Sequence, residues 1–438
     1  MASTVLFSDI TIVTPELDDS VSILEHAYCV TAGNKIEYVG KSCEEAKQIA
    51  SDLGEYDVYD GKNRILCPTF VNAHAHASMS IFRNIADDLA LEPWLFGEII
   101  PREDKMIAKD FRYGHLLSLA EMIEGGTGCA ANMYDGARID AEASVEAGFR
   151  CQQTALGKKC IDGVWHTDED EVKDFVEYCK NETNGLILPS LLVHSIYLYT
   201  EDFYTPLKEL GEKYRTPISV HISETRTENA NCINQYGMTP VEKLDSFGLL
   251  TDTTVAAHCV HLTDNDRSIL AKRGVWVAHN PSSNMKLASG FADMVSMQKE
   301  GIRLCLGTDG ASSNNNQDMF MEMRLASFMA KGTSYDSTVL KAADVFRMAT
   351  RTGYLACGFT DCGIISKGMK ADLQIINYDC PQMWPLGNPL SALVYSCGPK
   401  CVESTMINGK FVYYKQELTT IDMEKVKAET SESMERLK

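Results

Sequence analysis

Short apolar runs alternate with longer amphipathic stretches from residue 66 onward, and this alternation predicts the main fold. The stretches at 105–124, 167–181, 201–214 and 239–248 are rich in Glu, Lys and Leu at roughly helical spacing. Eight strands separated by helices over about 300 residues are typical of an α/β protein with a (β/α)8 TIM-like barrel. The eight strand candidates are 66–74, 128–134, 149–156, 186–194, 217–223, 254–260, 275–280 and 303–308.

Both ends of the chain have a different pattern, in which short β-type runs are separated by glycines and acidic turns. The runs are Val5–Val13, His26–Val30, Lys35–Val39, Leu373–Asn377 and Val402–Tyr414. Within the last run, Asn-Gly at 408–409 is a strong hairpin signal. We therefore predict a small discontinuous β-sandwich domain, residues 1–65 plus 365–438, beside a barrel of residues 66–364. The charged tail beyond about residue 421 predicts an exposed helix.

The composition narrows the class of protein. Of the 438 residues, 45% are hydrophobic and 23% are charged, as in ordinary soluble globular proteins. The formal net charge of −20 argues against nucleic acid and anionic membranes as partners, because both would repel the chain. By analogy with other barrels, we expect a homo-oligomer.

Targeting signals and cysteine usage predict a cytoplasmic protein. No apolar run approaches the length of a membrane span, and the N-terminus lacks the basic start and apolar stretch of a signal peptide. The fifteen cysteines are odd in number and form no Cys-x-x-Cys motif. We expect them to be reduced.

The histidines are concentrated where the predicted strands end. His74-Ala75-His76 ends the first strand, and alternate side chains of a strand share one face, so both imidazoles project together. Such a pair suits a borderline metal such as zinc, although His-x-His alone is weak evidence. Seven of the ten histidines fall at predicted strand ends, where the active sites of these barrels lie. These seven are His74, His76, His194, His221, His258, His261 and His279.

Three imidazoles and one carboxylate, from His74, His76, His221 and Asp309, would leave an open position on a metal for water. Two of these residues also have a simpler interpretation: His221 could be a polar group that caps a strand, and Asp309 a turn residue before a glycine. Glu224 follows His221 by three residues and would manage the proton of that water. This arrangement predicts hydrolytic attack on an sp² carbon.

The other histidines at strand ends have distinct expected roles. His258 is either a catalytic base or a structural hydrogen-bonding group, and we favour the base. We expect His261 to orient its loop, and His279 to support the ligands without binding the metal. His26, His115 and His166 are interpreted as surface or satisfied core groups.

These residues lie in stretches that resemble the amidohydrolase superfamily over essentially the whole chain. Within it, the chain is similar to the 5′-methylthioadenosine/S-adenosylhomocysteine deaminases, which also have chlorohydrolase-like relatives. The matching stretches are 74–76, 92–96, 101–104, 257–262, 279–284, 306–315 and 368–373.

The resemblance implies one divalent metal held by His74, His76, His221 and Asp309, with zinc expected and iron or manganese as alternatives. It implies that Glu224 shuttles the proton and that His258 orients or deprotonates the water. It also implies that Trp94 lines a nucleoside pocket, Glu103 holds the ribose hydroxyls and His194 contacts the purine. A carboxylate such as that of Glu103 can accept two hydroxyl hydrogen bonds.

Two positions depart from the family pattern. Pro68-Thr69 replaces the usual Pro-Gly, with little expected consequence. Members that accept homocysteine carry arginines after the third strand, whereas this chain has no arginine between Arg150 and Arg215. Lys158 or Lys159 would offer a point charge without a bidentate fork. We therefore expect adenosine-type substrates without a charged tail, such as methylthioadenosine, 5′-deoxyadenosine or adenosine.

Three other functions remain open at this point. The same site could deaminate or dechlorinate another heterocycle, such as another purine or an s-triazine. A binuclear hydrolase would want a lysine on the fourth strand, and Ser190–His194 has none. A catalytically inactive scaffold would be expected to lose ligands, and all of them are present.

Overall fold

The computed structural model describes residues 3–155, 157–161, 164–199 and 201–438, with backbone only for 158–161, 164 and 165. Its α-helices span Cys43–Asp52, Ile100–Glu103, Ala108–Glu124, Ala137–Ala147, Glu169–Glu182, Glu201–Tyr214, Arg226–Tyr236, Pro240–Ser246, Asp264–Arg273, Pro281–Lys286, Met294–Lys299, Met319–Ser334, Ala342–Met348, Arg351–Ala356, Pro389–Tyr395 and Met423–Arg436. Ala77–Phe82 and Pro399–Cys401 are 3-10 helices, and Pro93–Ile99 is a π-helix. No helix in the described ranges is long and apolar enough to cross a membrane.

A ring of parallel strands forms the centre of the fold and confirms the TIM-like architecture. The last strand is split: Arg303–Leu306 pairs with the seventh strand, and Asp309–Gly310 pairs with the first, which closes the ring. We call this split the seam. The strands are Phe70–His76, Thr127–Asn132, Arg150–Ala155, Ile187–Val193, Ile218–Ile222, Val255–His258, Trp276–His279 and Arg303–Leu306 with Asp309–Gly310.

The predicted first strand, 66–74, is wrong at its start. Arg64–Pro68 belongs to the terminal sheet, where it pairs with Leu373–Asn377, and the barrel strand begins at Phe70. Between them, Thr69 donates its backbone N–H to the carbonyl of Asp372, which holds the chain as it passes between the two sheets. An apolar run shows that a segment is buried, but it does not show which sheet buries it.

The two ends of the chain meet in one nine-stranded sheet. The hairpin predicted at 408–409 is confirmed, since Asn408 and Gly409 have φ of 50° and 77° between antiparallel strands. A separate two-stranded hairpin joins Lys158–Ile161 to Val164–Thr167. The nine strands are Thr4–Pro15, Val21–Ala32, Lys35–Gly40, Tyr56–Asp60, Arg64–Pro68, Leu373–Asn377, Val402–Ile407, Lys410–Tyr414 and Glu417–Leu418.

A buried ion pair joins the barrel to the terminal sheet. Arg150 begins the third barrel strand and is 2% exposed, and its guanidinium binds the carboxylate of Asp372, just before Leu373–Asn377. Arg150 also donates to the carbonyl of Gly185 at 3.1 Å and to the Asn408 side chain at 2.9 Å. Each of the three guanidinium nitrogens therefore donates to a partner from another part of the chain.

Arg150→Ala is expected to lower the free energy of unfolding by about 3–5 kcal/mol, because Asp372 would stay buried without its cation. Equilibrium denaturation in urea measures this loss. The matched control is Arg273→Ala, which removes the half-exposed pair with Asp245 and should cost less than about 1 kcal/mol. Equal losses in the two variants would contradict the buried-pair argument.

The C-terminal tail forms the predicted helix, Met423–Arg436, but the expectation that it is exposed is wrong. Val426, Thr430 and Ser433 are buried on one face, and this face packs against the helix Ala108–Glu124. The many charges suggested full solvation, whereas small and polar residues at helical spacing form the buried stripe. Most of its charged side chains are exposed, while Glu429 and Arg436 pair with Lys109 and Asp110 of that helix.

Candidate metal centre

Five side chains from four barrel strands converge at the C-terminal end of the ring. His74 and His76 end the first strand, His221 lies on the fifth, His258 ends the sixth, and Asp309 lies on the eighth. All five residues are at most 7% exposed. Donor atoms of His74, His221, His258 and Asp309 lie within 4.8 Å of one another. His76 Nε2 joins them at 3.2 Å from His221 Nε2 and 3.2 Å from Asp309 Oδ1.

Backbone carbonyls orient two of these imidazoles. His76 Nδ1 donates to the carbonyl of Met133 at 2.5 Å, and His221 Nδ1 donates to the carbonyl of His194 at 2.6 Å. Since a carbonyl only accepts, both Nδ1 atoms carry the proton and both neutral rings present a lone pair at Nε2. Two lone pairs facing each other at 3.2 Å repel unless a cation lies between them.

Asp309 is held so that one oxygen faces the histidines. Ser283 and Ser313 donate to Oδ2 at 2.6 and 2.8 Å, while Oδ1 lies 3.3 Å from His74 Nε2 and 3.2 Å from His76 Nε2. Burial opposes the charge, but these imidazoles hold the pKa of Asp309 well below its usual range. The residue has φ of 66°, a strained conformation that turns the carboxylate into the site.

The donor set fits a divalent metal. Burial lowers the pKa of His74 to about 4, and its Nε2 is enclosed without a hydrogen-bond partner in the described part of the chain. Burial also lowers the pKa of His221 well below its usual range. For His76, the Asp309 carboxylate outweighs burial and raises the pKa, so the cluster attracts positive charge. Neutral nitrogens with one carboxylate are ligands that zinc and its neighbours in the transition series prefer.

Glu224 and His258 face each other beside this cluster. Glu224 Oε2 lies 3.9 Å from His258 Nε2, and Glu224 Oε1 accepts a hydrogen bond from Ser289 at 3.0 Å. Asn284 Oδ1 accepts from His258 Nδ1 at 2.8 Å. Burial raises the pKa of Glu224 above its ordinary value, and the Asp309 carboxylate adds to the shift. A carboxyl group with a raised pKa accepts a proton more readily than a free glutamate does, which suits it to proton transfer.

His261 has the loop-orienting role that the sequence predicts, since its Nε2 donates to the carbonyl of Ser289 at 2.7 Å. Neither ring nitrogen of His279 has a hydrogen-bond partner among the described residues, and its support of the ligands stays a prediction. His115 is a buried core group, but it is only half satisfied: Nε2 lies 2.8 Å from the hydroxyl of Ser144, whereas Nδ1 has no hydrogen-bond partner within the described ranges.

Glu228 holds the loop that carries Glu224 and is absent from the sequence-based assignment. Its carboxylate accepts the backbone N–H groups of Ser223 at 3.1 Å and Glu224 at 2.7 Å. Thr225 begins the following helix and accepts from the backbone N–H of Glu228 at 3.1 Å. The pattern Thr-x-x-Glu, a common helix-start signal, could have indicated this carboxylate.

A cavity of about 310 Å³ opens from the metal centre, within the usual range for small-molecule sites. Trp94, Glu103 and His194 all line it, as the sequence predicts. Trp94 and Glu103 lie on residues 93–107, which we call the wall segment. Trp94 is 5% exposed and donates from Nε1 to Ser312 at 3.3 Å. His194 follows the fourth strand, with Nδ1 at 3.2 Å from the hydroxyl of Ser195.

Tyr134 is a second residue that sequence reasoning missed. Its hydroxyl donates to Glu103 Oε1 at 2.5 Å across the cavity, and the ring is buried. Burial raises the pKa of Glu103, whereas this hydrogen bond favours the carboxylate. No local pattern around residue 134 signals the contact, which depends on the path of the wall segment.

Comparison with known proteins gives consistent similarities. The model of the amidohydrolase family matches residues 65–412. A 5-methylthioadenosine/S-adenosylhomocysteine deaminase of Acetivibrio thermocellus is 40% identical over 99% of both chains. A 5′-deoxyadenosine deaminase of Methanocaldococcus jannaschii is 36% identical over 93% of this chain and 95% of its own.

A solved structure is similar over the same extent. It is an adenosine deaminase from Xanthomonas campestris with bound zinc, 32% identical to this chain. The TM-score is 0.91, and the match covers 99% of this chain and 98% of that one. Sequence and backbone therefore agree along nearly the whole chain.

Proposed function

The chain belongs to the amidohydrolase family, and from this premise we propose that it is a metal-dependent deaminase of adenosine-type nucleosides. The reaction adds water to the purine carbon that bears the amino group, releases ammonia and leaves the inosine analogue. The proposal rests on one observation: the cluster of His74, His76, His221, His258 and Asp309 and the buried carboxylate of Glu224 beside it open into a cavity that Glu103 also lines. The deaminase names of the similar proteins support it.

We assign one divalent metal, zinc first, to His74, His76, His221 and Asp309. Although His258 also lies within reach, its Nε2 faces Glu224 and its Nδ1 is engaged by Asn284, so we assign it to the water. The carbonyls behind His76 and His221 fix the tautomers that bind metal. When bound, the metal supplies Lewis acidity that lowers the pKa of a water molecule.

Glu224 manages the protons in this proposal. Its carboxylate takes a proton from the attacking water and passes it to a purine ring nitrogen, which makes the ring carbon electrophilic. His258 accepts a hydrogen bond from the water and orients it, or takes its second proton. That second proton passes through Glu224 or His258 to the amino group, so that the C–N bond breaks, ammonia leaves and the carbonyl of the inosine analogue forms. Ser289 and Glu228 hold the Glu224 loop in place during both transfers.

Three residues are proposed to bind the nucleoside. Trp94 packs its ring against the substrate, and Glu103 accepts hydrogen bonds from the two ribose hydroxyls. His194 meets the purine from the end of the fourth strand. Tyr134 keeps Glu103 directed at the cavity through the 2.5 Å hydrogen bond.

Ammonia release from a panel of nucleosides, free aminopurines and s-triazines tests the function directly. We expect adenosine, 5′-deoxyadenosine and 5′-methylthioadenosine to react, with free adenine and triazines slower by at least about 10²-fold in kcat/KM, because they forfeit the Glu103 contact. Faster turnover of a triazine or a free base would contradict the proposal.

The absence of arginine between Arg150 and Arg215 predicts a preference among 5′ substituents. We expect kcat/KM for 5′-methylthioadenosine to exceed that for S-adenosylhomocysteine by at least about tenfold, because the amino-acid carboxylate would lack a bidentate partner. The side chains of Lys158 and Lys159 lie outside the described residues. A neutral 5′-butylthio analogue is the control, since it separates tail length from charge. A preference for S-adenosylhomocysteine would overturn this expectation.

We propose the division that the sequence predicts, a barrel of residues 66–364 and a small β domain of residues 1–65 plus 365–438, with the first boundary moved to Thr69 because Arg64–Pro68 pairs in the terminal sheet. A cytoplasmic location, a homo-oligomeric state, and the exclusion of nucleic acid and membranes as partners belong to this proposal. Size-exclusion chromatography with light scattering tests the oligomeric state.

A further inference from the structure

The wall segment is exposed where it continues beyond Glu103. Ile107 is 53% exposed, and Asp104 and Lys105 are exposed as well. Glu103 ends a helix of only four residues. A short, solvated segment of this kind needs support from elsewhere if it is to hold a binding carboxylate in one position.

The C-terminal end of the chain supplies apolar support. Leu437 caps the helix Met423–Arg436 and is 1% exposed. It belongs to the same buried cluster as Trp94, Ile99 and Tyr134. The last buried apolar residue of the chain therefore belongs to the apolar cluster that buries Trp94 and Ile99 of the wall segment, although it is far from them in sequence.

Arg436 adds polar support beside it. Its Nη1 donates to the carbonyl of Lys105 at 2.9 Å, two residues from Glu103. Its Nη2 binds the carboxylate of Asp110, whose Oδ2 also accepts the backbone N–H of Ile107 at 2.7 Å. One guanidinium thus joins the end of the wall segment to the start of the helix Ala108–Glu124.

The C-terminal helix is itself anchored to a rigid element. Lys109, in the first turn of Ala108–Glu124, pairs with Glu429 and lies 2.8 Å from Glu432. Val426, Thr430 and Ser433 form the buried stripe against that helix. The helix Met423–Arg436 is therefore held against Ala108–Glu124, and Arg436 and Leu437 extend from its C-terminal end.

We propose that Arg436 and Leu437 are positioning residues of the substrate site, which hold the wall segment so that Glu103 meets the ribose. The inference rests on the proposed nucleoside substrate. Neither residue lines the cavity, so both act through Glu103 and Trp94. The ribose-binding side of the site is then built by the C-terminal end of the chain as well as by the barrel loops.

Steady-state kinetics of the holoenzyme with adenosine test this. Leu437→Ala and Arg436→Gln are each expected to raise KM by about tenfold and to change kcat by less than about twofold, because nucleoside binding is weakened while the metal centre stays intact. Arg436→Lys, which cannot bridge Lys105 and Asp110 together, should give a smaller rise. Metal content should equal that of the parent protein. Unchanged KM, or a fall confined to kcat, would overturn the inference.

A double-mutant cycle shows whether these residues act through Glu103. We expect Glu103→Gln alone to raise KM, and Leu437→Ala to add little to it, since the shared contact is already lost. Val426→Ala is the matched control: it loosens the same helix away from the wall segment and should leave KM unchanged. Additive effects would overturn the inference while leaving the proposed function standing. Absence of ammonia release by the parent protein from every nucleoside would instead refute the function.

Discussion

Glu224→Gln is expected to lower kcat by at least about 10⁴-fold for every nucleoside while one equivalent of metal stays bound. Glutamine keeps the shape and the hydrogen bond from Ser289, but it cannot take a proton from water and pass it to the purine. General acid–base catalysis contributes about 10²–10⁴-fold per proton transfer, and this residue serves more than one transfer.

The measurement combines ammonia release with metal analysis of the purified variant. Glu209→Gln, an exposed carboxylate on the helix Glu201–Tyr214, is the matched control and should keep parent activity. Retention of more than about a tenth of the parent kcat in Glu224→Gln would rule out its assigned role.

His221→Ala is expected to reduce bound metal from about one equivalent to nearly none, with a loss of at least about 10³-fold in kcat/KM. The variant removes the nitrogen that faces His76 at 3.2 Å and so opens the ligand set. Lewis-acid stabilisation is worth several kcal/mol, and each 1.36 kcal/mol is a factor of ten in rate.

His279→Ala is the matched control for metal binding. His279 is also a buried strand-end histidine, 1% exposed, but its ring nitrogens have no partner among the described residues. We expect this variant to keep nearly the parent metal content per folded chain, measured by elemental analysis. Equal metal loss in both variants would show that packing, not ligation, explains the effect of His221→Ala.

The barrel and the convergence of the candidate metal ligands were predictable because two signals in the sequence coincide. Buried parallel strands read as continuous apolar runs, and polar residues at their C-terminal ends stand out against them. His74, His221 and Asp309 each interrupt such a run, so strand order alone brings them together. The family resemblance then assigned the residues of the cavity.

The features that the sequence did not predict depend mostly on contacts between segments far apart in the chain. Pro68 and Thr69 mark a change of sheet that no local pattern reveals, since the apolar run continues across it. Tyr134 reaches Glu103 only because the wall segment folds over the second strand. Leu437 lies in a charged tail, and one leucine gives no amphipathic signal. Glu228 is different, because Thr225-x-x-Glu228 is a helix-start pattern that can be read from the local sequence.

The seam also determines when, during synthesis, the proposed ligand set can be complete. Asp309 is made only after about half of the chain has followed His76, a delay of about 10 to 50 s at ~5–20 residues per second on the ribosome. Throughout that interval the nascent chain offers imidazoles without the carboxylate that completes the set. The pairing of Asp309–Gly310 with the first strand closes the ring and brings in the last of the proposed ligands. Under the proposed assignment, the barrel ring and the full ligand set therefore become complete together, and metal supply from that moment on should govern the yield of active enzyme.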